Sequence, residues 1–307
     1  MIWIETDLEP DDVFALLLLP LAEFYVVGEG NARIKYNRMI EYVKLLKETK
    51  KDKIEPILIQ GIGSMKDFSL DGKEFDGLAN NNCTENYLKQ FIKFANSKNP
   101  VMFSFKPMRE LLAEYIKNPE LIKSLVSEVI LYVYGGFNFR CLFNEKQKLL
   151  DLLHCFNKVY IYETFFVLGE NNSMNKKNSN RLYKYIIEHP NKYFETMFKL
   201  TYNWNKNIIN DMAESLKNPN LDHSTRNQHR KVIDNVIGNE DFQFVVADFG
   251  LAIVYEKIKP YPISNLRFEN YTIFDWSDKP TNMYAYKDIS IKHIEELILN
   301  YLQKHLN

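Results

Sequence analysis

Cysteine is scarce in this chain: Cys83, Cys141 and Cys155 are the only three among 307 residues. No two of them stand in a CxxC spacing, which argues against a disulfide framework or a structural zinc site and fits ordinary thiols in a reducing compartment. Charge of one sign is lacking as well, since 39 Lys and Arg face 40 Asp and Glu for a net charge of −1. Nothing global therefore draws the protein toward nucleic acid or an anionic membrane. No apolar run approaches the roughly 20 residues that a membrane-spanning helix needs. Strand-like sequence begins at Met1, which leaves no room for a cleaved leader. Internal repeats and a clear interdomain linker are also missing. The expectation is a cytoplasmic protein with one domain over residues 1–307 and with neither nucleic-acid nor membrane partners. Its 46% hydrophobic and 14% aromatic content is enough for a sizeable core.

What the chain does contain is an alternation of short apolar runs with stretches of helical periodicity. Strands are expected at 1–4, 24–27, 54–59, 101–105, 129–134 and 159–164. Helices are expected between them at 13–22, 34–50, 84–97, 107–127 (interrupted at Asn118-Pro119) and 144–156. This order predicts an α/β fold with a mainly parallel central sheet and helices on both faces. A polar loop at 170–180 and helices over 181–240 read as a helical insertion of about 170–240. A strand at 242–246, an apolar helix after Asp248, strand signals at 261–276 and a terminal helix at 289–306 complete the chain. Ligands of such sheets bind at the carboxyl ends of the strands. Glu5 to Asp12, Gly28 to Asn31, Gly61 to Ser64, Lys106 to Arg109 and Gly135 to Asn138 all fall there.

The first of these segments is the most informative. Glu5-Thr6-Asp7-Leu8-Glu9-Pro10-Asp11-Asp12 packs five carboxylates into one turn between two apolar elements. Like charges so close repel strongly once water is excluded, and a hard divalent cation with oxygen ligands is the economical remedy. An N-capping aspartate followed by surface acids is the plainer explanation, but a cap accounts for one carboxylate and not four. A phosphate-binding turn would want glycine and lysine instead. Strand alternation is expected to turn Glu5 and Asp7 to the same side.

The pattern E-x-D-x-x-x-D-D resembles the D-x-D-P-G-x-D-D-A signature of the inosine-uridine-preferring nucleoside hydrolase family. Further segments agree in order up to about residue 260. Gly30-Asn31 followed by Asn37 is similar to the family's G-N…N, and Lys106-Pro107-Met108-Arg109-Glu110 stands at its G-P-L-T-N. Asn118-Pro119-Glu120-Leu121 matches its D-P-E-L, Tyr134-Gly135-Gly136 its M-G-G, and Phe137-Asn138 the end of its E-F-N. Ala247-Asp248 stands at its His-Asp. The resemblance implies a nucleoside-hydrolase-like fold and a Ca²⁺ ion held by Asp7, Asp12, Asp248 and the backbone carbonyl of Arg109. It implies a ribose diol bound through Asp11 and Asn138, with Glu5 and Asn31 also counted as substrate-binding. Asp7 would activate the metal-bound water for attack on C1′ of a nucleoside or related N-riboside. Asp248 has a second reading, as the N-cap of the helix that follows. Family members are commonly oligomers, which leaves a homo-oligomer open.

Departures from the family pattern concentrate on the leaving group. Ala247 stands where inosine-preferring members carry a proton-donating His, and Asp71-Gly72 stands at a His-Gly. Glu9 replaces the glycine of the signature, a position where a side chain is expected to be poorly tolerated. Gly136 and Asn138 are separated by one residue, so a segment with further sugar-binding groups is missing. Of the histidines, only His223 and His229 lie in a segment that could fold back onto the site; His154, His189, His293 and His305 read as structural. Adjacent His154 and Cys155 diverge by about 100° on a helix, which spoils a dyad. An aromatic run including Trp204 reads as a core face that could also stack on a base. The expected function is calcium-dependent hydrolysis of an N-riboside. The alternative from another class is a ribose- or nucleoside-binding protein without hydrolysis. Metal-dependent phosphoester hydrolysis rests only on the clustered acids and has no basic clamp beside it.

Overall fold

The computed structural model describes residues 1–63, 67–68, 74–75, 84–164, 168, 172–255, 257–268 and 272–306. In chain order the strands are β1 (Ile2–Thr6), β2 (Phe24–Val27), β3 (Ile57–Gln60), β4 (Asp67–Phe68), β5 (Glu74–Phe75), β6 (Val101–Ser104), β7 (Ile130–Tyr134) and β8 (Lys158–Tyr162). After them come β9 (Ser173–Asn175), β10 (Gln243–Val245), β11 (Tyr261–Phe268), β12 (Thr272–Trp276) and β13 (Met283–Ala285). The first seven helices are α1 (Pro10–Leu18), α2 (Ala32–Lys50), α3 (Thr84–Ala95), α4 (Arg109–Lys117), α5 (Pro119–Val126), α6 (Gly136–Arg140) and α7 (Lys146–Cys155). The rest are α8 (Asn180–Glu188), α9 (Lys192–Ser215), α10 (His223–Val236), α11 (Asp248–Val254) and α12 (Ile291–His305).

Nine strands form the central sheet in the order β12-β11-β13-β8-β7-β6-β1-β2-β3. Every pairing from β13 to β3 is parallel, and β11 runs antiparallel to both of its neighbours. The expected α/β class, with a mainly parallel sheet and helices on both faces, is the one observed. Strands sandwiched between helices are apolar on both sides, and β2 is buried at all four positions. Consecutive residues then serve opposite faces. Ile4, Tyr25 and Phe103 pack beneath α1, α2, α9, α11 and α12, whereas Trp3, Phe24 and Met102 pack beneath α3, α4, α5 and α7. From β1 the chain moves outward one way to β2 and β3, then returns to lay β6, β7 and β8 on the other side. The order therefore reverses at β1 and β6, and a crevice opens beyond their carboxyl ends.

Several elements differ from the sequence expectation, three of them instructively. The helix expected over 13–22 begins at Pro10, whose fixed φ and missing N–H suit a first helical position. Residues 173–175, expected to be loop, form β9 and pair antiparallel with β10. Only Met174 of that strand is buried, so it carries no readable alternation. The three-residue β13 was not foreseen, yet it fills the gap between β8 and β11. Among the described residues no helix is long and apolar enough to cross a membrane.

Two core positions yield measurable consequences. Trp3 is fully buried, with ring centroids of Phe24, Tyr87, Phe91 and Phe94 at 5.3, 5.3, 5.3 and 5.4 Å. Trp3→Ala is expected to lower unfolding stability by about 3–5 kcal/mol in denaturant titration. Lys50 reaches from the end of α2 to the carboxyl end of α1, donating to the carbonyls of Leu16 and Leu19. Burial pulls its pKa from 10.5 down to about 7, with the Asp52 charge opposing. Between these values the unfolded chain keeps a proton that the folded protein has released, so stability attributable to Lys50 rises with pH. The stability of wild type relative to Lys50→Met is expected to climb by about 1.4 kcal/mol per pH unit across that window, and a flat difference would refute it.

Candidate functional site

The acidic segment crosses the end of β1 and the start of α1. Leu8 adopts a left-handed φ of 60°, while Glu9 is extended at φ −75°. The strained position of this turn is thus Leu8, and Glu9 accommodates its side chain as the residue that caps α1. Pro10 and Asp12 through Leu18 are buried, so α1 carries its first-turn carboxylates into the interior, where its positive end favours them. The start of α11 brings Asp248 to the same place. The two helices dock through Phe14 and Phe249, with ring centroids 5.4 Å apart.

Carboxylate oxygens of Asp11, Asp12 and Asp248 lie within 4.8 Å of one another. One oxygen of Asp12, Oδ2, accepts hydrogen bonds from the hydroxyl of Thr6 and from the backbone N–H groups of Asp7 (3.1 Å) and Leu8 (2.9 Å). Oδ2 of Asp11 accepts from the N–H of Asp248 at 3.3 Å. The other oxygens, Oδ1 of Asp12 and Oδ1 of Asp248, are buried without a hydrogen-bond partner. Burial and then the Asp7 charge push Asp11 up to about 7. Burial and neighbouring carboxylates push Asp12 and Asp248 well above the usual range. Unpartnered buried carboxylate oxygens are costly, and a hard cation with oxygen ligands would both partner them and hold them ionised. The residues present therefore fit a divalent ion such as Ca²⁺.

The trio opens into a cavity of about 640 Å³, an ordinary size for a small-molecule site. Asp7, Asp11 and Asp248 line it together with Glu29, Phe105, Arg109, Tyr134 and Asn138. The helical segment between β9 and β10 contributes Trp204, Asn205, Ile208, Val232 and Val236 to the wall. Arg109 donates from Nε to Oε1 of Glu29 at 2.7 Å. Glu29 itself has a left-handed φ of 59°, followed by Gly30 at 50°. Asn138 donates from Nδ2 to the carbonyl of Phe105 at 2.9 Å, which ties the loops after β6 and β7 together.

Set against the sequence expectations, the structure brings Asp11, Asp12 and Asp248 together and puts Asp7, Arg109 and Asn138 in the cavity wall. Asp7 is not one of the converging three; Asp11 stands in its place. Arg109 opens α4 and turns its guanidinium to Glu29, whereas the expectation concerned its carbonyl.

Two residues expected to bind substrate lie away from the cavity wall. Glu5 is fully buried away from the cavity, accepting from Tyr87 Oη at 2.8 Å and Trp3 Nε1 at 3.3 Å. Regular alternation ends with β1 at Thr6, so Asp7 is no longer bound to the side that Glu5 takes. Asn31 is the N-cap of α2, its side chain accepting from Ile34 N–H at 3.1 Å, and it does not line the cavity. None of the six histidines lines it either. Asp71 and Cys83 lie outside the described residues.

A second charge cluster escaped sequence reading. Lys106, with no exposure, pairs with Glu110 and lies 3.9 Å from Oε2 of Glu5. Burial alone would lower its pKa, but Glu110 and Glu5 outweigh that and raise it. Oε1 of Glu110 accepts from Ile62 N–H at 2.7 Å, and a Cβ on Gly61 would come within 2.2 Å of that oxygen. The i,i+4 spacing of Lys106 and Glu110 was the available signal. The cluster fixes the loops after β2, β3 and β6 that form the cavity rim. Lys106→Met strands two buried carboxylates and is expected to cost about 3–5 kcal/mol. Adding Glu110→Gln should recover part of that loss in thermal or denaturant unfolding.

No protein-family model matches the sequence, and no curated protein matches it. Solved structures do match. The effector protein XOO4466 superposes with a TM-score of 0.61 at 11% identity, covering 100% of this chain and 93% of its own. The type III effector protein XopQ, solved in complex with adenosine diphosphate ribose, gives a TM-score of 0.62 at 11% identity, covering 100% of this chain and 92% of its own. The chain shares the fold of these effectors.

Proposed function

We propose that the protein is a calcium-dependent hydrolase of the N-glycosidic bond of a ribonucleoside or related N-riboside. The observation that carries this reading is the carboxylate trio, with two buried oxygens lacking partners, beside a cavity where the strand order reverses. Asp11, Asp12 and Asp248 would hold the ion, with Thr6 and the backbone N–H groups of Asp7 and Leu8 fixing Asp12 for the task. Once bound, such an ion supplies positive charge for a sugar diol and acidifies water near neutrality. Asp7 faces the cavity beside the trio and is the residue to take the proton of the attacking water at its carboxylate. Asn138, anchored to Phe105, offers a rigid amide to the sugar. Adenosine diphosphate ribose in the related effector fold supports a ribose-containing ligand.

One observation favours the reading as a ribose-binding protein without hydrolysis. The position beside Asp248 is Ala247, in the cavity wall, and it offers no proton to a departing base. The two readings part experimentally. Calorimetry is expected to show Ca²⁺ binding that Asp248→Asn and Asp12→Asn weaken by at least about tenfold. A nucleoside panel with Ca²⁺ should release ribose from at least one member, and Asp7→Asn should cut that rate by about 10²–10⁴-fold while retaining the ion. Tight Ca²⁺ binding without turnover of any panel member selects the binding protein. Absence of divalent binding at millimolar concentration removes both.

A further inference from the structure

We propose that the cavity takes a riboside whose base is itself cationic, of the pyridinium N-riboside class, in preference to a neutral purine or pyrimidine nucleoside. This rests on the reading above and specifies its substrate.

The first argument is the charge of the wall. Among the described residues, Asp7, Glu9, Asp11, Glu29 and Asp248 line the cavity against one cationic side chain, Arg109. That guanidinium is already committed to Glu29 at 2.7 Å. A divalent ion at the trio would still leave the wall negative, and the walls of a narrow cavity concentrate that field. Asp7 and Glu9 line the cavity beside the trio and are not among the three carboxylates that would hold the ion, so their charge remains to face a ligand. An anionic base or phosphate would be repelled here, and a cationic ring would be drawn in.

The second argument is the leaving group. A neutral nucleoside expels its base as an anion unless an acid protonates it. Ala247 supplies no proton, and among the described residues no histidine or lysine lines the cavity. Tyr134 is in the wall, but its hydroxyl is held well above the ordinary tyrosine range by burial and by the Glu163 charge. Glu29 is bonded to Arg109. A pyridinium riboside needs none of these. The water oxygen bonds to C1′, the electrons of the C1′–N bond pass to the ring nitrogen and cancel its charge, and the water proton goes to Asp7. The products are ribose, a neutral pyridine base and one proton, with no acid, oxidant or reductant consumed.

The third argument is aromatic: Trp204 and Phe244 are among the side chains that line the cavity. Aromatic faces attract organic cations, and Trp204 is the only one of the chain's three tryptophans in the cavity wall.

The test compares 1-(β-D-ribofuranosyl)pyridinium with its neutral dihydropyridine counterpart, and with inosine and uridine, in the presence of Ca²⁺. Binding is read from tryptophan emission on the full-length Asp7→Asn protein. The pyridinium riboside is expected to bind at least about 30-fold more tightly than the neutral counterpart. It should also quench emission, and the quench should disappear in Trp204→Phe, which retains Trp3 and Trp276. Wild type should release the neutral base, with one proton per turnover, at a kcat/KM at least about 100-fold above that for inosine or uridine. Equal binding of the charged and neutral rings, or faster turnover of inosine or uridine, overturns the cationic preference while N-riboside hydrolysis stands. If no riboside binds or turns over, the hydrolase reading falls and this inference falls with it.

Discussion

The structure depends on keeping carboxylates inside a helix terminus that water does not reach. Asp12 is fully buried at the first turn of a helix whose remaining residues are almost all apolar. Such a placement needs compensation, and the chain supplies it from close by. Thr6 and the backbone N–H groups of Asp7 and Leu8 converge on one oxygen of Asp12, which requires the left-handed bend at Leu8. The apolar length of α1 follows from the same requirement, because a helix that starts in the interior must also continue through it. Its partner α11 is seven residues long and entirely buried, and it returns Asp248 to Asp11 across more than two hundred residues of chain. Gly250 in that helix has no room for a Cβ, which would lie 2.5 Å from the ring of Tyr162. Close packing of α11 against the sheet is thus what holds the third carboxylate in place.

A single strand separates two charge systems of different character. Thr6 faces the acid trio, whereas Glu5, its neighbour, faces Lys106, Tyr87 and Trp3 on the opposite side. The rear system has its own cation, and most of its oxygens accept hydrogen bonds. Its effect is structural: three rim loops are pinned to one lysine–glutamate pair. The front system has no cation of its own and leaves two oxygens unpartnered. That difference separates a buried ion pair that orders loops from a cluster shaped to receive something.

The fold was largely legible because a parallel sheet leaves a strong signal: continuous apolar strands alternate with amphipathic helices. β2 is found at the residues expected, and most other boundaries moved by a few residues. What escaped were elements stabilised by their neighbours and not by their own pattern, such as β9 with one buried residue and β13 with three residues in all. The site was legible where chemistry repeats in one segment, as in Asp11 and Asp12, and where a motif placed Asp248 far along the chain. It was illegible where a backbone dihedral decides direction. Nothing in the letters Asp7-Leu8-Glu9 says that the positive φ falls on Leu8, or that the strand ends at Thr6 so that Glu5 and Asp7 part company. Asn31 shows a second limit, since an asparagine before a helix serves equally as cap or as ligand until its partner is seen.

An 11% identity spread over the whole of two effector folds has a physical explanation. Sheet order, helix placement and the crevice at β1 and β6 are set by hydrophobic pattern and connection handedness, which tolerate almost complete substitution. The chemistry of the crevice is held by a handful of side chains, and each can change without disturbing the fold. Among the described residues the cavity wall of this chain carries Asp7, Glu9, Asp11, Glu29 and Asp248 and neither histidine nor lysine. A wall built that way is poorly equipped to protonate a departing neutral base, while its carboxylates favour positive charge in a ligand or in an oxocarbenium-like state. On the proposed reading the shortage of acids and the excess of negative charge are two parts of one arrangement, in which the ligand would bring the charge that a protein proton would otherwise supply.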